Sequence, residues 1–164
     1  MHNCKTIGQQ YQSGDFDIKS SRLESLIGCP QHITGDINCS VNWLSSLVGG
    51  PQRVDGYYNC SNNRLTDLVG CASHIGLSLY CYNNNITSLV GIHKIIKSCQ
   101  SIEFDPKKIT EGGIGLLMIG GMSYISSDTP PFEIIKSYLG TGTKGMMECS
   151  KELMSKGHTK YTKL

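Results

Sequence analysis

At 164 residues, with 17% charged residues and a formal net charge of +2, the chain suits one domain with a small appendage and is too weakly charged to mark a nucleic-acid or anionic-membrane binder. Its 19 glycines favour many tight turns over long amphipathic helices. The opening "MHNCKTIGQQYQSGD" has no basic stretch followed by an apolar one, and the most apolar window, "GIGLLMIGGM" at 113–122, is too short for a bilayer span. The expectation is therefore a cytoplasmic protein with no membrane partner and with its 8 cysteines reduced.

Residues 1–13 are too few for a domain and are expected to form an N-terminal cap. From Gly14 the chain repeats with a period of 21: "GDFDIKSSRLESLIGCPQHIT", "GDINCSVNWLSSLVGGPQRVD", "GYYNCSNNRLTDLVGCASHIG" and "LSLYCYNNNITSLVGIHKIIK", with no insertion in any unit. One column holds Phe16, Ile37, Tyr58 and Leu79, and two residues on come Ile18, Cys39, Cys60 and Cys81. These alternating apolar positions predict a short strand with one face inward. Next come Ser21, Asn42, Asn63 and Asn84, then Leu23, Leu44, Leu65 and Ile86, then Leu26, Leu47, Leu68 and Leu89, and late in each unit Ile33, Val54, Ile75 and Ile96. The asparagine is expected to turn inward and satisfy backbone groups at the bend, while the aliphatic columns fill the coil. Stacked units place identical positions about 4.8 Å apart along a parallel sheet. Ala72 and His93 replace the prolines of the first two units, Pro30 and Pro51, so the return segment is expected to be looser or more helical there.

A fifth unit from Ser98, "SCQSIEFDPKKI", starts in register and fades. The rest of 98–164 is expected to be an α/β cap. "GIGLLMIGGMSYIS" fits one or two buried strands. "PPFEIIKSYLG" has Pro at a helix start and Gly at its end, with Phe132, Ile135, Tyr138 and Leu139 on one face. "KGMMECSKELMSKG" fits a second helix, with Met146, Met147, Leu153 and Met154 apolar. These helices are a second place for partner contacts.

Three columns flank the inward strand positions and are expected to face out: Asp15, Asp36, Tyr57 and Ser78; Asp17, Asn38, Asn59 and Tyr80; Lys19, Ser40, Ser61 and Tyr82. The face grades from acidic to small and polar to aromatic. Tyr57, Tyr80 and Tyr82 are the candidate hot spot, because tyrosine buries a large area while keeping a polar handle. A single exposed Tyr would mean only that it suits a strand. Arg22, Trp43, Arg64 and Asn85 follow the bend asparagine, and the aromatic between two arginines could stack as a rim ladder.

Chemistry is sparse. Cys39, Cys60 and Cys81 share an inward column whose spacing permits a disulfide between neighbours, but buried free thiols acting as small hydrophobes are the preferred reading. No CxxC pair or in-register histidine suggests zinc, and His32 and His74 lie two units apart, roughly 10 Å by strand spacing. Cys149 has no organised histidine partner, and "GGIGLLMIGG" lacks the features of a phosphate-binding loop. The "NCS" and "NIT" triplets are repeat chemistry and not glycan sites. No catalytic, metal or cofactor residue is expected.

The pattern Φ-x-Φ-x-x-N-x-L is the heart of the leucine-rich repeat, and the chain resembles that class. More narrowly, "GDINCSVNWLSSLVGGPQRVDG" resembles the short units of uncharacterised leucine-rich-repeat-like proteins of tailed bacteriophages, which read like G-D-F-x-C-S-x-N-x-L-T-S-L-x-G-x-P-x-x-V. The likeness covers about residues 14–97, and "GLLMIGGMSYISSD" and "PFEIIKSYLG" resemble the C-terminal region of those proteins. The resemblance implies an α/β solenoid: a short right-handed leucine-rich-repeat coil with a parallel sheet on the concave face and a small C-terminal helical cap. It also implies a phage origin, hence a host cytoplasm, and supplies no activity. The functional expectation is a non-enzymatic protein-interaction module that binds a host or phage protein, in host takeover or counter-defence. Tyr57, Tyr80 and Tyr82 would anchor the partner, with Asn38 and Asn59 beside them and Trp43 and Arg64 on the rim. The alternative is a small-ligand sponge or sensor, with tyrosine stacking and asparagine hydrogen bonds receiving a nucleotide-like base. The two exposed ends of a stack also permit self-association.

Overall fold

The computed structural model describes residues 10–164, so the cap expected over 1–13 lies outside the described residues apart from its last few positions. Along the chain run β1 (Tyr11–Gln12), β2 (Phe16–Asp17), β3 (His32–Ile33), β4 (Ile37–Asn38), β5 (Arg53–Val54), β6 (Tyr58–Asn59), β7 (His74–Ile75), β8 (Ser78–Tyr80) and β9 (Ser88–Leu89). There follow α1 (Ile92–Ile95), β10 (Ser101–Glu103), β11 (Glu111–Gly112), β12 (Tyr124–Ile125), α2 (Pro130–Ser137) and α3 (Gly142–Ser155). Strands β2, β4, β6, β8, β10 and β12 pair in that order in one parallel sheet, and β1, β3, β5 and β7 pair in a second. Each of the first three 21-residue units thus gives one strand to each sheet, while the fourth gives β8 to the first and β9 to a separate pair with β11. Parallel sheets joined by tight turns and few short helices are compatible with a repeat coil of the solenoid type.

The pairing follows the sequence columns: Phe16 opposes Ile37, Ile37 opposes Tyr58, and Tyr58 opposes Leu79. It then continues beyond residue 97. Leu79 opposes Ile102 and Ile102 opposes Ile125, so two more turns follow at a spacing of 23 residues. The added residues enter where α1 forms in one turn and where a 3-10 turn, Ile114–Met118, forms in the next. A helical residue advances the chain about 1.5 Å and a strand residue about 3.3 Å, so a helical return needs more residues to cover the same span. Helix α1 contains His93, one of the two positions that lack the repeat proline. Ala72, the other, shows no helix, and the chain runs on into β7.

The bend asparagines do what the pattern implied. Asn42 Nδ2 donates to the carbonyls of Cys39 at 3.0 Å in its own turn and of Ile18 at 2.9 Å in the turn before. Its Oδ1 accepts from the amides of Ser21 and Leu23, both at 2.9 Å. Asn63 bridges Cys60, Cys39 and the Leu44 amide in the same way, and Asn84 bridges Cys81, Cys60 and the Leu65 amide. All three are buried, and their bonds satisfy backbone groups that a strand of two residues leaves orphaned. The leucine columns and the late Ile/Val column lie in one core. The seven cysteines among the described residues are all buried. Burial pushes the thiols of Cys60, Cys71 and Cys81 well above their usual range.

Two positions break the repeat in instructive ways. Tyr58 fills a column otherwise held by Phe16, Ile37 and Leu79, and it is fully buried with no partner for its hydroxyl. The extra bulk is met by Gly50, which stands where the neighbouring units have Cys29 and Cys71. A Cβ at Gly50 would lie 3.2 Å from the Tyr58 hydroxyl and 2.9 Å from Leu26 Cδ1. Val41 has φ +57, in the left-handed region that a β-branched residue avoids, while the same column holds Asn62 at +56 and Asn83 at +53.

The last turn is covered by helices. Pro130 and Pro131 open α2, whose Phe132 packs edge-on against Phe104 at 4.9 Å and Tyr161 at 5.6 Å. The Tyr161 hydroxyl donates to the Ile109 carbonyl at 2.8 Å, tying residues 159–162 back onto the coil. Helix α3 buries Cys149 and Leu153, but Met147 and Met154 face solvent. The segment 113–122 holds a 3-10 turn, Ile114–Met118, and no strand; Tyr124–Ile125 supplies the strand just after it. No helix among the described residues is long and apolar enough to cross a membrane.

Replacing Val41 by Asn, the residue its column prefers, should raise stability by about 1 kcal/mol in urea unfolding; an unchanged midpoint would show that the left-handed position carries no strain. Gly50→Cys should destabilise by about 2 kcal/mol alone and by at least about 1 kcal/mol less in a Tyr58→Leu background. Additive effects in that double-mutant cycle would separate the two positions.

Candidate functional site

The outward side of the six-stranded sheet carries two continuous columns. The first runs Asp15, Asp36, Tyr57, Ser78, Ser101, Tyr124, and the second Asp17, Asn38, Asn59, Tyr80, Glu103, Ser126. Most of their small polar side chains are committed to the repeat. Asp15 Oδ1 accepts the amide of Asp36, and Asp36 Oδ1 accepts the amide of Tyr57, each at 2.8 Å. These clamps pass over glycine: a Cβ at Gly35 or Gly56 would stand 2.2 or 2.0 Å from the clamping oxygen. Asp17 Oδ1 accepts the Lys19 amide at 2.9 Å. Asn38 Oδ1 takes the hydroxyl of Ser40, and Asn59 Oδ1 that of Ser61, both at 2.7 Å, along with the same serines' amides. Ser40 and Ser61, expected to face out, are consequently buried at 3% and 1% exposure. The strand ends at Asn38 and Asn59, so alternation no longer governs the residues beyond, and the Asx turn folds each serine inward.

The tyrosines are different. Tyr57 stacks on Tyr80 with centroids 5.8 Å apart and planes at 27°, and Tyr82 meets Tyr80 edge-on at 6.5 Å. Tyr57 is 39% exposed, and Tyr80 and Tyr82 are half-buried. Burial raises the Tyr80 pKa, a hydrogen bond with Ser78 opposes the rise, and the Glu103 carboxylate adds to it, so the hydroxyl stays protonated. Ser78 and Ser101 bond each other at 2.6 Å and leave a low stretch beside the stack. On its far side stands Tyr124, 44% exposed, with the Lys136 ammonium 4.9 Å above its ring. A constant period of 21 conceals Tyr124, which shares the column of Tyr57 only after the longer turns are counted.

Trp43 and Arg64 lie past the asparagine bend. Arg64 sits 5.7 Å over the Trp43 ring, which is 41% exposed. Arg22, in left-handed backbone at φ +56, makes no such contact among the described residues, so the ladder is a pair and not a sandwich. The structure therefore joins Tyr57, Tyr80 and Tyr82, flanks them with Asn38 and Asn59, and sets Trp43 and Arg64 apart beyond the bend.

Other surfaces escaped the pattern. Ile27, Val48, Val69 and Val90 follow the buried leucines and form a column exposed by 40–60%. A cleft of about 320 Å³ lies between Ile114, Met146, Met147, Met154 and Leu164. A larger one of about 510 Å³, lined by 117–122 with Gly140, Gly142 and Thr143, contains no titratable side chain. On the four-stranded sheet, His32 Nε2 at 2.9 Å and Arg53 Nε at 2.7 Å both reach the Asp55 carboxylate, and the His32 bond foremost holds its carboxyl below the usual range. Among the described residues no group of three or more His, Cys, Asp or Glu could hold a metal ion.

Comparison with protein-family models, with curated proteins and with solved structures finds no match to this chain in any of the three.

Trp43 is the sole tryptophan, so its emission reports the Arg64 contact directly. Arg64→Ala should increase acrylamide quenching of Trp43 while changing unfolding free energy by less than about 1 kcal/mol; unchanged quenching would mean the guanidinium does not cover the ring in solution.

Proposed function

We propose that this chain is a non-enzymatic recognition module whose binding surface is the tyrosine cluster Tyr57, Tyr80 and Tyr82, carried on the concave sheet of a short, right-handed leucine-rich-repeat coil. One contrast supports the reading. The small polar side chains from Asp15 to Asn59 on this face are hydrogen-bonded into the repeat, whereas the three tyrosines clamp no backbone amide and still cluster with rings partly open to solvent. Rings held by one another arrive pre-ordered, so a partner that covers them loses little further side-chain freedom. Tyrosine is also the residue type that most often dominates interface energy.

A protein partner suits the surface better than a nucleotide does. The Tyr57 and Tyr80 rings already stack on each other, so a flat base cannot be sandwiched between them. On the resemblance to phage proteins, the partner would be a host or phage protein met in the host cytoplasm. Trp43 and Arg64 would contribute only to a partner large enough to wrap past the bend.

The triple substitution Tyr57→Ala, Tyr80→Ala, Tyr82→Ala should abolish affinity capture of the partner from infected host cells, with the circular dichroism spectrum unchanged and the melting point lowered by no more than a few degrees. Full capture by this folded variant would sink the reading and move attention to the methionine-lined cleft against α3.

A further inference from the structure

We infer that the tyrosine surface takes an extended peptide segment bearing two cationic side chains, arginine above lysine, placed about three residues apart. The inference rests on the recognition reading above and adds the chemistry of the partner.

Charge is the first observation. The chain carries a net +2, yet this face is acidic. Asp15, Asp17, Asp36 and Glu103 lie in its two columns, and none forms an ion pair among the described residues. Asp105 and Asp128, further along, are already matched by Lys108 and Lys107. The one cation in the outward columns of the first four turns is Lys19. The remaining positive charge lies elsewhere, so the acidic strip is a local field and not a property of the whole surface.

Geometry is the second. Tyr57 and Tyr80 stack diagonally across the third and fourth turns. Each ring spends one face on the other and keeps an outer face. The outer face of Tyr57 looks toward the second turn, where Asp36 occupies the same column and clamps the Tyr57 amide by Oδ1 at 2.8 Å, leaving Oδ2 without a hydrogen bond among the described residues. The outer face of Tyr80 looks toward the fifth turn, where Glu103 is its direct register partner. Each end of the stack therefore pairs a π-face with a carboxylate one turn away. A guanidinium fits that pairing because it can lie flat on the ring and present its edge to the carboxylate; an ammonium offers only a point charge. Tyr82, edge-on to Tyr80, walls one side of the second slot.

Spacing follows from the stack. The two slots are two turns apart, roughly 10 Å at the inter-strand distance. A polyproline-II segment rises about 3.1 Å per residue with three residues per turn, so its side chains at positions i and i+3 lie on one face and would reach both slots. The low Ser78–Ser101 stretch lets its backbone pass close to the sheet.

The probe is a fluorescein-labelled octapeptide, Gly-Ser-Arg-Gly-Ser-Arg-Gly-Ser, titrated by anisotropy at low salt against the full chain. Binding should weaken at least fivefold in Tyr80→Leu, and roughly threefold in each of Asp36→Asn and Glu103→Gln, consistent with exposed cation–π and ion-pair energies. Asp36→Asn keeps the oxygen that holds the Tyr57 amide. Glu148→Gln, on α3, should leave binding unchanged, and the lysine version of the peptide should bind more weakly. No measurable binding, binding that ignores Tyr80→Leu, or tighter binding of adenosine monophosphate at the same tyrosines would each overturn the inference. If the peptide fails while the triple tyrosine variant still loses its captured partner, the surface stands and the cationic partner is wrong. If the peptide binds through the tyrosines while capture is untouched, the slot chemistry holds and the capture reading fails.

Discussion

The carboxamides of Asn42, Asn63 and Asn84 are the groups on which every other position depends. A strand of two residues ends almost as soon as it begins, and the bend after it turns carbonyls toward an apolar interior, where each unpaired one costs about 1–3 kcal/mol. A backbone amide serves one acceptor. The asparagine NH₂ serves carbonyls of its own turn and of the turn before, while its oxygen takes an amide of the preceding turn. Because each side chain binds two successive turns, it fixes their phase. Once the phase is set, leucine meets leucine and tyrosine meets tyrosine without further instruction.

The same economy explains what the outward face can say. Asp15 and Asp36 reach over Gly35 and Gly56 to hold the next turn's amide, and Asn38 and Asn59 fold Ser40 and Ser61 inward. These side chains look like surface and act as scaffold. What stays outside the scaffold is where the repeat departs from itself: Tyr57, Tyr80, Tyr82 and, two turns beyond Ser78 in the same column, Tyr124. The departures inside the core are matched in pairs, as Tyr58 is by Gly50. The aromatic departures outside lean on one another, and Tyr124 on Lys136.

Four repeat units were legible in the sequence because an inward-outward alternation and a fixed 21-residue offset run together over 14–97. Three things were hidden. The fifth and sixth turns keep the columns but shift to 23 residues, through α1 and then the 3-10 turn at 114–118, so a constant period loses Ile102, Ile125 and Tyr124. Ser40 and Ser61 were placed outside by parity that had already ended with the strand. Nothing in the apolar pattern separates buried Leu47 from exposed Val48, or Leu153 from Met154; that distinction arises only from the glycine at φ +87 after Val48 and from the packing of α3. Of the candidate site, the tyrosine cluster was visible as residues on one face, whereas its stacking and its flanking carboxylates needed the register between turns.

The asparagine bonds reach only one turn back, and this bears on how such a chain can change over generations. A whole unit can be gained or lost by recombination between matching columns, and the ladder on either side of the junction closes again without a defect. The tyrosine pair does not share that indifference, because Tyr57 belongs to the third unit and Tyr80 to the fourth. A unit inserted at that seam would leave the scaffold whole and part the two rings by a full turn. The scaffold is inherited one unit at a time, and the tyrosine pair only two units together.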